Sequence, residues 1–153
     1  MRKAFIFPIV ASLFLCLFSC EDAYYNPETK SISAEISGDQ FNSTDFFAVK
    51  NGKTLSISAS QSSKQLTMVL NKFEGEGEYV LGGDANNNEA TWEPALGGTF
   101  TTLNMTIISG KVKVDEFDGS SIKGTFQYVA SNGSKEVSVE EGIINILLTT
   151  PIE

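Results

Sequence analysis

Two apolar–polar alternations are separated by a short polar stretch in LSISASQSSKQLTMVL, residues 55–70. In each run the apolar residues fall on every second position. These positions are Leu55, Ile57, Ala59, Leu66, Met68 and Leu70. A period of two is typical of a β-strand with one face on a core and the other in water. The stretch therefore predicts two half-buried strands joined by a loop at residues 61–63.

The same period recurs along the rest of the chain. The further runs are residues 32–36, 103–107, 112–114, 122–128 and 144–148. No stretch after residue 20 carries the apolar stripe of a helix. Glycine-containing pairs separate the runs, and Asn-Gly in particular favours the positive φ values of a tight hairpin. These pairs are Asn51-Gly52, Ser109-Gly110, Asp118-Gly119 and Asn132-Gly133.

This pattern predicts an all-β fold, a single antiparallel and meander-rich domain of about nine strands. Gly142 interrupts the last run and indicates a bulge there. Two closures are compatible with the sequence. A β-sandwich is favoured, because the polar loop at residues 82–90 divides the strands into two groups; a curled or open β-barrel is the alternative.

Composition excludes several classes of function. The chain has 153 residues, 19 acidic and 11 basic, for a net charge of −8. It contains no histidine, and its two cysteines both fall in the first twenty residues. A basic nucleic-acid footprint, a zinc site of Cys and His ligands, a disulfide framework and histidine-based catalysis are therefore not expected. No cofactor is predicted.

The first nineteen residues have the layout of a secretory signal peptide. A positive start is followed by residues 4–19, which carry no charge and are rich in Phe, Leu, Ile and Val. As a helix, this run would span about 24 Å, short of the roughly 30 Å hydrocarbon core that a transmembrane segment must cross. Pro8 disfavours a continuous helix further.

The sequence LFSC, residues 17–20, resembles a lipobox, the site at which bacterial lipoproteins are acylated and cleaved. The resemblance implies a diacylglyceryl group on the Cys20 thiol and cleavage before this residue. It divides the chain into a signal peptide (1–19), an acidic lipid-anchored tether (20–30) and an all-β domain (31–153). The implied location is the cell envelope, anchored to the outer membrane, with the membrane face left open.

Several stretches of the domain also resemble a family of small secreted lipoproteins from the Bacteroidota. They are ISAEISG (residues 32–38), LSIS after Asn51-Gly52, FEGEGEYVLG (residues 73–82) and GTF (residues 124–126). The resemblance extends over nearly the whole chain. It implies a lipid-anchored all-β domain, and it implies no activity.

Two groups of oxygen-bearing side chains are candidates for chemistry. The loop DANNNE, Asp84 to Glu89, has oxygen ligands at positions 1, 3 and 5, like the start of a calcium loop, although an Asn-rich turn needs no metal. Carboxylates also cluster in the chain and could act as acid and base in glycoside hydrolysis. They are Asp115, Glu116, Asp118, Glu140 and Glu141. Adjacent strand residues point to opposite faces, so neither adjacent pair converges. No metal site and no catalytic residue are predicted.

Aromatic residues offer a binding surface instead. Trp92 lies in a short polar segment beside the long loop, and Trp92 and Tyr79 are the predicted ligand contacts. The favoured function is a non-catalytic cell-envelope lipoprotein, a binding or structural module whose ligand is left open, with a glycan or a protein as the candidate partner. A small-ligand carrier with a cavity inside a barrel and a carboxylate enzyme acting on glycans are the alternatives.

Overall fold

The computed structural model describes residues 29–83 and 87–149. Within these ranges the chain forms eleven β-strands and a short 3-10 helix, Thr102–Asn104, with no α-helix. The strands are β1 (Ser31–Ile36), β2 (Asp39–Ser43), β3 (Asp45–Asn51), β4 (Thr54–Gln61), β5 (Lys64–Leu70), β6 (Gly77–Gly82), β7 (Glu89–Glu93), β8 (Phe100–Thr101), β9 (Ile108–Phe117), β10 (Ser121–Ser131) and β11 (Glu136–Leu147). The predicted all-β, antiparallel fold is confirmed.

The strands belong to one sheet that curls almost into a barrel. Its order is β2-β1-β11-β10-β8-β7-β5-β4-β3. The two end strands, β2 and β3, are separated in the chain by Thr44 alone. Because an even number of antiparallel steps connects them, they run in the same direction and form two halves of one bent strand. This strand pairs with β1 and then with β4, so the sheet adopts the barrel alternative rather than the favoured sandwich.

Ser43 holds the bend between β2 and β3. Its side chain is buried, and its hydroxyl donates a hydrogen bond to the carbonyl oxygen of Ser60 on β4. The backbone N–H of Asp45 donates to the same hydroxyl at 3.1 Å. The serine therefore satisfies backbone groups at the corner, where regular strand pairing changes partner.

The sheet branches at β10. Its first part pairs with β9, which in turn pairs with β6, while Ser131 at its end pairs with Thr101 on β8. The predicted turn at Ser109-Gly110 is wrong, since both residues lie inside β9. A Cβ on Gly110 would lie 2.2 Å from the carbonyl oxygen of Gln127, so the glycine permits close approach of β9 to β10.

The predicted strand at residues 103–107 is also wrong. This segment forms the 3-10 helix and a loop, in which Leu103 and Ile107 are exposed. The Thr101 hydroxyl accepts a hydrogen bond from the Leu103 N–H and caps the 3-10 turn. Thr102 is fully buried and its hydroxyl accepts from the Ala90 N–H, so local polar contacts override the alternation.

The other alternating runs fill the interior. Leu55, Ile57, Leu66, Met68 and Leu70 are all buried, as the period of two predicts. The bulge predicted at Gly142 is present. Gly142 lies opposite Phe126, whereas the next pair is Tyr128 with Val139, which leaves the intervening residues of β11 bulged outward.

The strand directions define two ends of the barrel. Strands β1, β4, β7 and β10 run in the same direction, so the turns after them lie at one end, named the mouth. These turns are residues 37–38, 62–63, 94–99 and 132–135. Lys30 before β1 and Thr149 after β11 lie at the opposite end, where the Thr149 N–H donates to the carbonyl oxygen of Ala48 at 2.6 Å.

Candidate ligand-binding site

Two adjoining cavities open at the mouth. One has a volume of about 180 Å³ and includes residues from the turn after β1 and from the start of β2. The other, of about 330 Å³, lies between the loop after β7 and the hairpin after β10. Trp92, Pro94 and Val137 line both cavities, so these three side chains form one shared wall.

Trp92 is fixed by the strands on both sides of it. It is the residue before the end of β7 and lies opposite Leu66 on β5 and Phe100 on β8. Its ring packs edge-to-face on Phe41, with centroids 5.5 Å apart and an interplanar angle of 86°. Only 5% of the residue is exposed, so the indole is a rigid wall of the cavities rather than a flat surface platform.

Two lysines lie on either side of the shared wall. Lys64, at the start of β5, lines the smaller cavity, and Lys135, in the hairpin after β10, lines the larger one. Asp39 is the carboxylate among the residues that line the smaller cavity. Across residues 29–83 and 87–149, neither lysine forms an ion pair with a carboxylate.

The hairpin that carries Lys135 is held by its own side chains. The Asn132 side-chain oxygen accepts hydrogen bonds from the Ser134 N–H at 3.0 Å and from the Lys135 N–H at 2.9 Å. The Ser131 hydroxyl accepts from the Gly133 N–H at 3.0 Å. These bonds satisfy the turn locally, so the wall of the larger cavity is ordered without a ligand.

Four lysines outside the mouth are paired with acidic residues, whereas Lys50 on β3 donates to the carbonyl oxygen of Gly52 at 2.8 Å. The ion pairs are Lys53–Glu74 at 2.9 Å, Lys111–Glu78 at 2.8 Å, Lys113–Asp115 at 2.6 Å and Lys123–Glu116 at 2.6 Å. The hydrogen bond from Lys111 lowers the pKa of Glu78, and its charge lowers this pKa further. Among the described residues, Lys64 and Lys135 thus lack the ion pair that these four lysines have, and Asp39 is the one carboxylate that lines a mouth cavity with them.

A second pair of cavities follows the outer face of β10. Their volumes are about 240 and about 330 Å³, and Gln127 and Glu141 line both. They lie beside the bulge of β11. The lysines that line the first of them, Lys111 and Lys113, are neutralised by Glu78 and Asp115. This groove also lacks an aromatic wall as extensive as that of the mouth, so the mouth is the stronger candidate site.

Of the two predicted ligand contacts, the structure brings only Trp92 into the mouth. Tyr79 lies on β6, and its ring stacks on Phe73 with centroids 5.3 Å apart. Its hydroxyl donates to the carbonyl oxygen of Gly75 at 2.8 Å and accepts from the Glu74 N–H at 3.1 Å. Tyr79 therefore closes the loop before its own strand.

The loop at residues 84–89, whose start resembles a calcium loop, is described only in part. Residues 84–86 lie outside the described residues, as does the predicted lipid attachment site, Cys20. Asn88 is buried; its side-chain oxygen accepts from the Asn71 N–H at 2.7 Å, and its amide donates to the carbonyl oxygen of Val80 at 2.9 Å. Asn88 thus joins two loops, and among the described residues no group of three acidic or cysteine side chains could hold a metal.

The clustered carboxylates serve the surface and the turns. Asp115 and Glu116 are engaged in the ion pairs given above, and Glu140 and Glu141 point outward at the bulge. Asp118 accepts hydrogen bonds from the hydroxyl groups and backbone N–H groups of Ser120 and Ser121. These bonds, led by that from the Ser121 hydroxyl, hold the pKa of Asp118 well below its usual value.

Lys64 and Lys135 were not predicted as site residues. Each follows a short turn that contains Ser or Asn. The turn places the lysine near a strand end, but the local sequence does not show which residues of other strands lie near it. Val137 was missed for a similar reason. Its place in the mouth depends on the curl of the sheet, which brings Val137 of β11 into the same cavities as Trp92 of β7, although the two strands are not neighbours in the sheet.

The fold and the mouth define a class: a small antiparallel β domain, nearly closed, with an aromatic-walled cleft at one end. The chain belongs to the family described as "Domain of unknown function (DUF6252)", whose model matches residues 28–146. A comparison with curated proteins and a comparison with solved structures each found no significant match. Among the described residues, no helix is long and apolar enough to span a membrane.

Proposed function

We propose that this protein is a non-catalytic, lipid-anchored binding module of the cell envelope and that it binds its ligand at the mouth. The observation that carries the proposal is the pair of adjoining cavities with Trp92 in their shared wall and, on each side, a lysine that has no carboxylate partner among the described residues. Binding sites are typically concave and mainly apolar, with a few polar groups that orient the ligand, and the mouth has this composition.

The position at which the chain enters the barrel is compatible with a lipid anchor on Cys20. The tether of residues 20–30 joins the domain at the start of β1, which is the end opposite the mouth. A lipid on Cys20 would therefore be connected to the domain through the end opposite the mouth. Acyl chains contribute about 0.8 kcal/mol per buried CH₂ group, so several chains on one cysteine give stable attachment.

The chemistry of the mouth supports binding rather than hydrolysis. Glycoside hydrolysis normally uses two carboxyl groups on opposite sides of the scissile bond. Asp39 is the single carboxylate among the described residues that line the two mouth cavities. The remaining polar groups are amides, hydroxyls and lysines, which hold a ligand through hydrogen bonds and charge.

The packing of the interior favours a binding site at the mouth over a ligand cavity inside the barrel. Large apolar side chains that fill the barrel are fully or almost fully buried; they include Phe41, Phe73, Leu55, Met68, Leu81 and Ile146. A carrier of the barrel type holds its ligand in the space that these side chains occupy. The ligand is therefore expected to rest on this packed core, at the level of Trp92.

Two matched leucines test whether the mouth is the binding surface. Leu96, in the loop after β7, lines the larger cavity and is 92% exposed, whereas Leu103 is exposed outside the mouth. The full-length protein and the variants Leu96→Ser and Leu103→Ser would be screened against glycan and peptide arrays. We expect Leu96→Ser to bind more weakly than the wild type to each glycan or peptide that the wild-type protein captures. Leu103→Ser should bind these ligands as the wild type does, and equal effects of the two substitutions would contradict the proposed site.

The anchor is tested separately by Cys20→Ala in the producing cells. We expect the wild-type chain to incorporate labelled fatty acid and to fractionate with membranes, and the variant to do neither. A wild-type chain without the label would refute the anchor and leave the binding site unaffected.

A further inference from the structure

We propose that the mouth is selective for an acidic oligosaccharide, a sugar chain that carries carboxylate or sulfate groups. The inference rests on the proposed function, since it names the ligand class of the same site. Three features of the cavities lead to it: the ring-bearing wall, the hydrogen-bonding groups around that wall, and the position of the two lysines.

The wall and its surroundings match the mixed surface of a sugar. Trp92 and Pro94 present ring edges and CH groups, against which the apolar face of a pyranose packs. Gln40 in the smaller cavity and Asn132 and Ser134 in the larger one offer both donors and acceptors. Sugar hydroxyls are themselves donors and acceptors, so amide and hydroxyl groups can satisfy them in either sense.

The lysines add selectivity for negative charge. The chain carries a net charge of −8, which repels an anion at long range. At physiological ionic strength the screening length is about 8 Å, so the charges that line the cavities dominate for a bound ligand. These charges are Lys64 and Asp39 in the smaller cavity and Lys135 in the larger one, which leaves the lining net positive. Within the described residues, Lys64 and Lys135 have no carboxylate partner, whereas the lysines of the outer groove do.

The arrangement of the cavities favours a chain over a single sugar. Lys64 and Lys135 line different cavities, which meet at the wall formed by Trp92, Pro94 and Val137. A single small anion would engage one lysine. A chain with anionic groups on successive or alternate sugars can pass over the shared wall and engage both lysines.

Calorimetric titration of the full-length protein in detergent tests this proposal. The probes are a hyaluronan hexasaccharide with carboxylates alone, a chondroitin sulfate hexasaccharide with carboxylates and sulfates, and neutral cellohexaose. We expect at least one acidic probe to bind more than about tenfold more tightly than cellohexaose, with an affinity that falls as salt is added. The two acidic probes distinguish carboxylate from sulfate recognition.

The matched control is Lys72, another lysine that has no ion pair among the described residues. Lys72 lies in the loop after β5, at the end of the barrel opposite the mouth. We expect the double variant Lys64→Gln/Lys135→Gln to bind the acidic probe about tenfold more weakly, because a partly exposed ion pair contributes a few-fold each. Lys72→Gln should bind as the wild type does.

The outcomes separate this inference from the proposed function. Equal binding of cellohexaose, or an unchanged affinity in the double variant, would overturn the selectivity for anions and leave the mouth as a site. Binding of peptides without any of the three sugars would overturn the sugar class. If neither sugars nor array peptides bind in a way that depends on Leu96, the proposed function itself fails.

Discussion

Replacing Gly142 by alanine should destabilise the barrel strongly. A Cβ at this position would lie 2.4 Å from the carbonyl oxygen of Phe126 and 2.6 Å from two carbons of its ring. Non-bonded carbon atoms in a packed interior are about 3.5–4.0 Å apart, so β10 and β11 would have to separate by about 1 Å at the bulge. Overpacking of this kind costs about 1–3 kcal/mol, and a contact with backbone places Gly142→Ala at the upper end, about 3 kcal/mol.

Urea denaturation, followed by far-ultraviolet circular dichroism, measures this cost. Gly133→Ala is the control, because Gly133 has a φ of +87° and no atom within 4 Å of the added Cβ. Its cost is conformational and amounts to about 1 kcal/mol. The reasoning is refuted if Gly142→Ala is no more destabilising than Gly133→Ala, since the close approach of the strands would then be absent.

Two further substitutions test the corner and a turn. Ser43→Ala removes the side-chain partner of the Ser60 carbonyl and of the Asp45 N–H and should lower the free energy of unfolding by about 2 kcal/mol. The half-buried Ser58, whose hydroxyl accepts from the Gln65 side chain near the surface, is the control, and Ser58→Ala should cost less than about 1 kcal/mol. Equal losses in urea denaturation would contradict the role of Ser43. Asp118→Asn should destabilise the protein at pH 7 and less so at low pH. The folded pKa of Asp118 is lowered, so its stabilisation is present above the unfolded value of about 3.9 and disappears as the pH falls through the folded value. A difference between wild type and Asp118→Asn that persists undiminished in strong acid would rule out this contribution.

The strand pattern was readable from sequence because it is local. The alternation in residues 55–70 fixes which side chains face the core, and the Asn51-Gly52 and Asn132-Gly133 pairs mark hairpins between paired strands. The run at residues 103–107 has the same alternation, but hydrogen bonds of Thr101 and Thr102 draw it into a 3-10 turn. The apolar period alone does not show that these hydrogen bonds compete with strand formation.

Closure and charge pairing depend on contacts between distant parts of the chain. The corner at Ser43 forms only when β4 is beside it, and no local feature of the sequence distinguishes this bend from a break between two sheets. Likewise, Lys111 finds Glu78 at a separation of 33 residues, while Lys64 and Lys135 find no acidic partner within the described chain. The sequence alone therefore does not distinguish the two lysines of the mouth from the lysines that have an acidic partner.

The fluorescence of Trp92 tests the central claim most directly, because it is the single tryptophan of the chain and lines both mouth cavities. Titration with the tightest-binding acidic hexasaccharide should change the wavelength or intensity of its emission, with the same dissociation constant as calorimetry gives. A calorimetric binding signal that leaves the emission of Trp92 unchanged would mean that the ligand binds elsewhere on the protein.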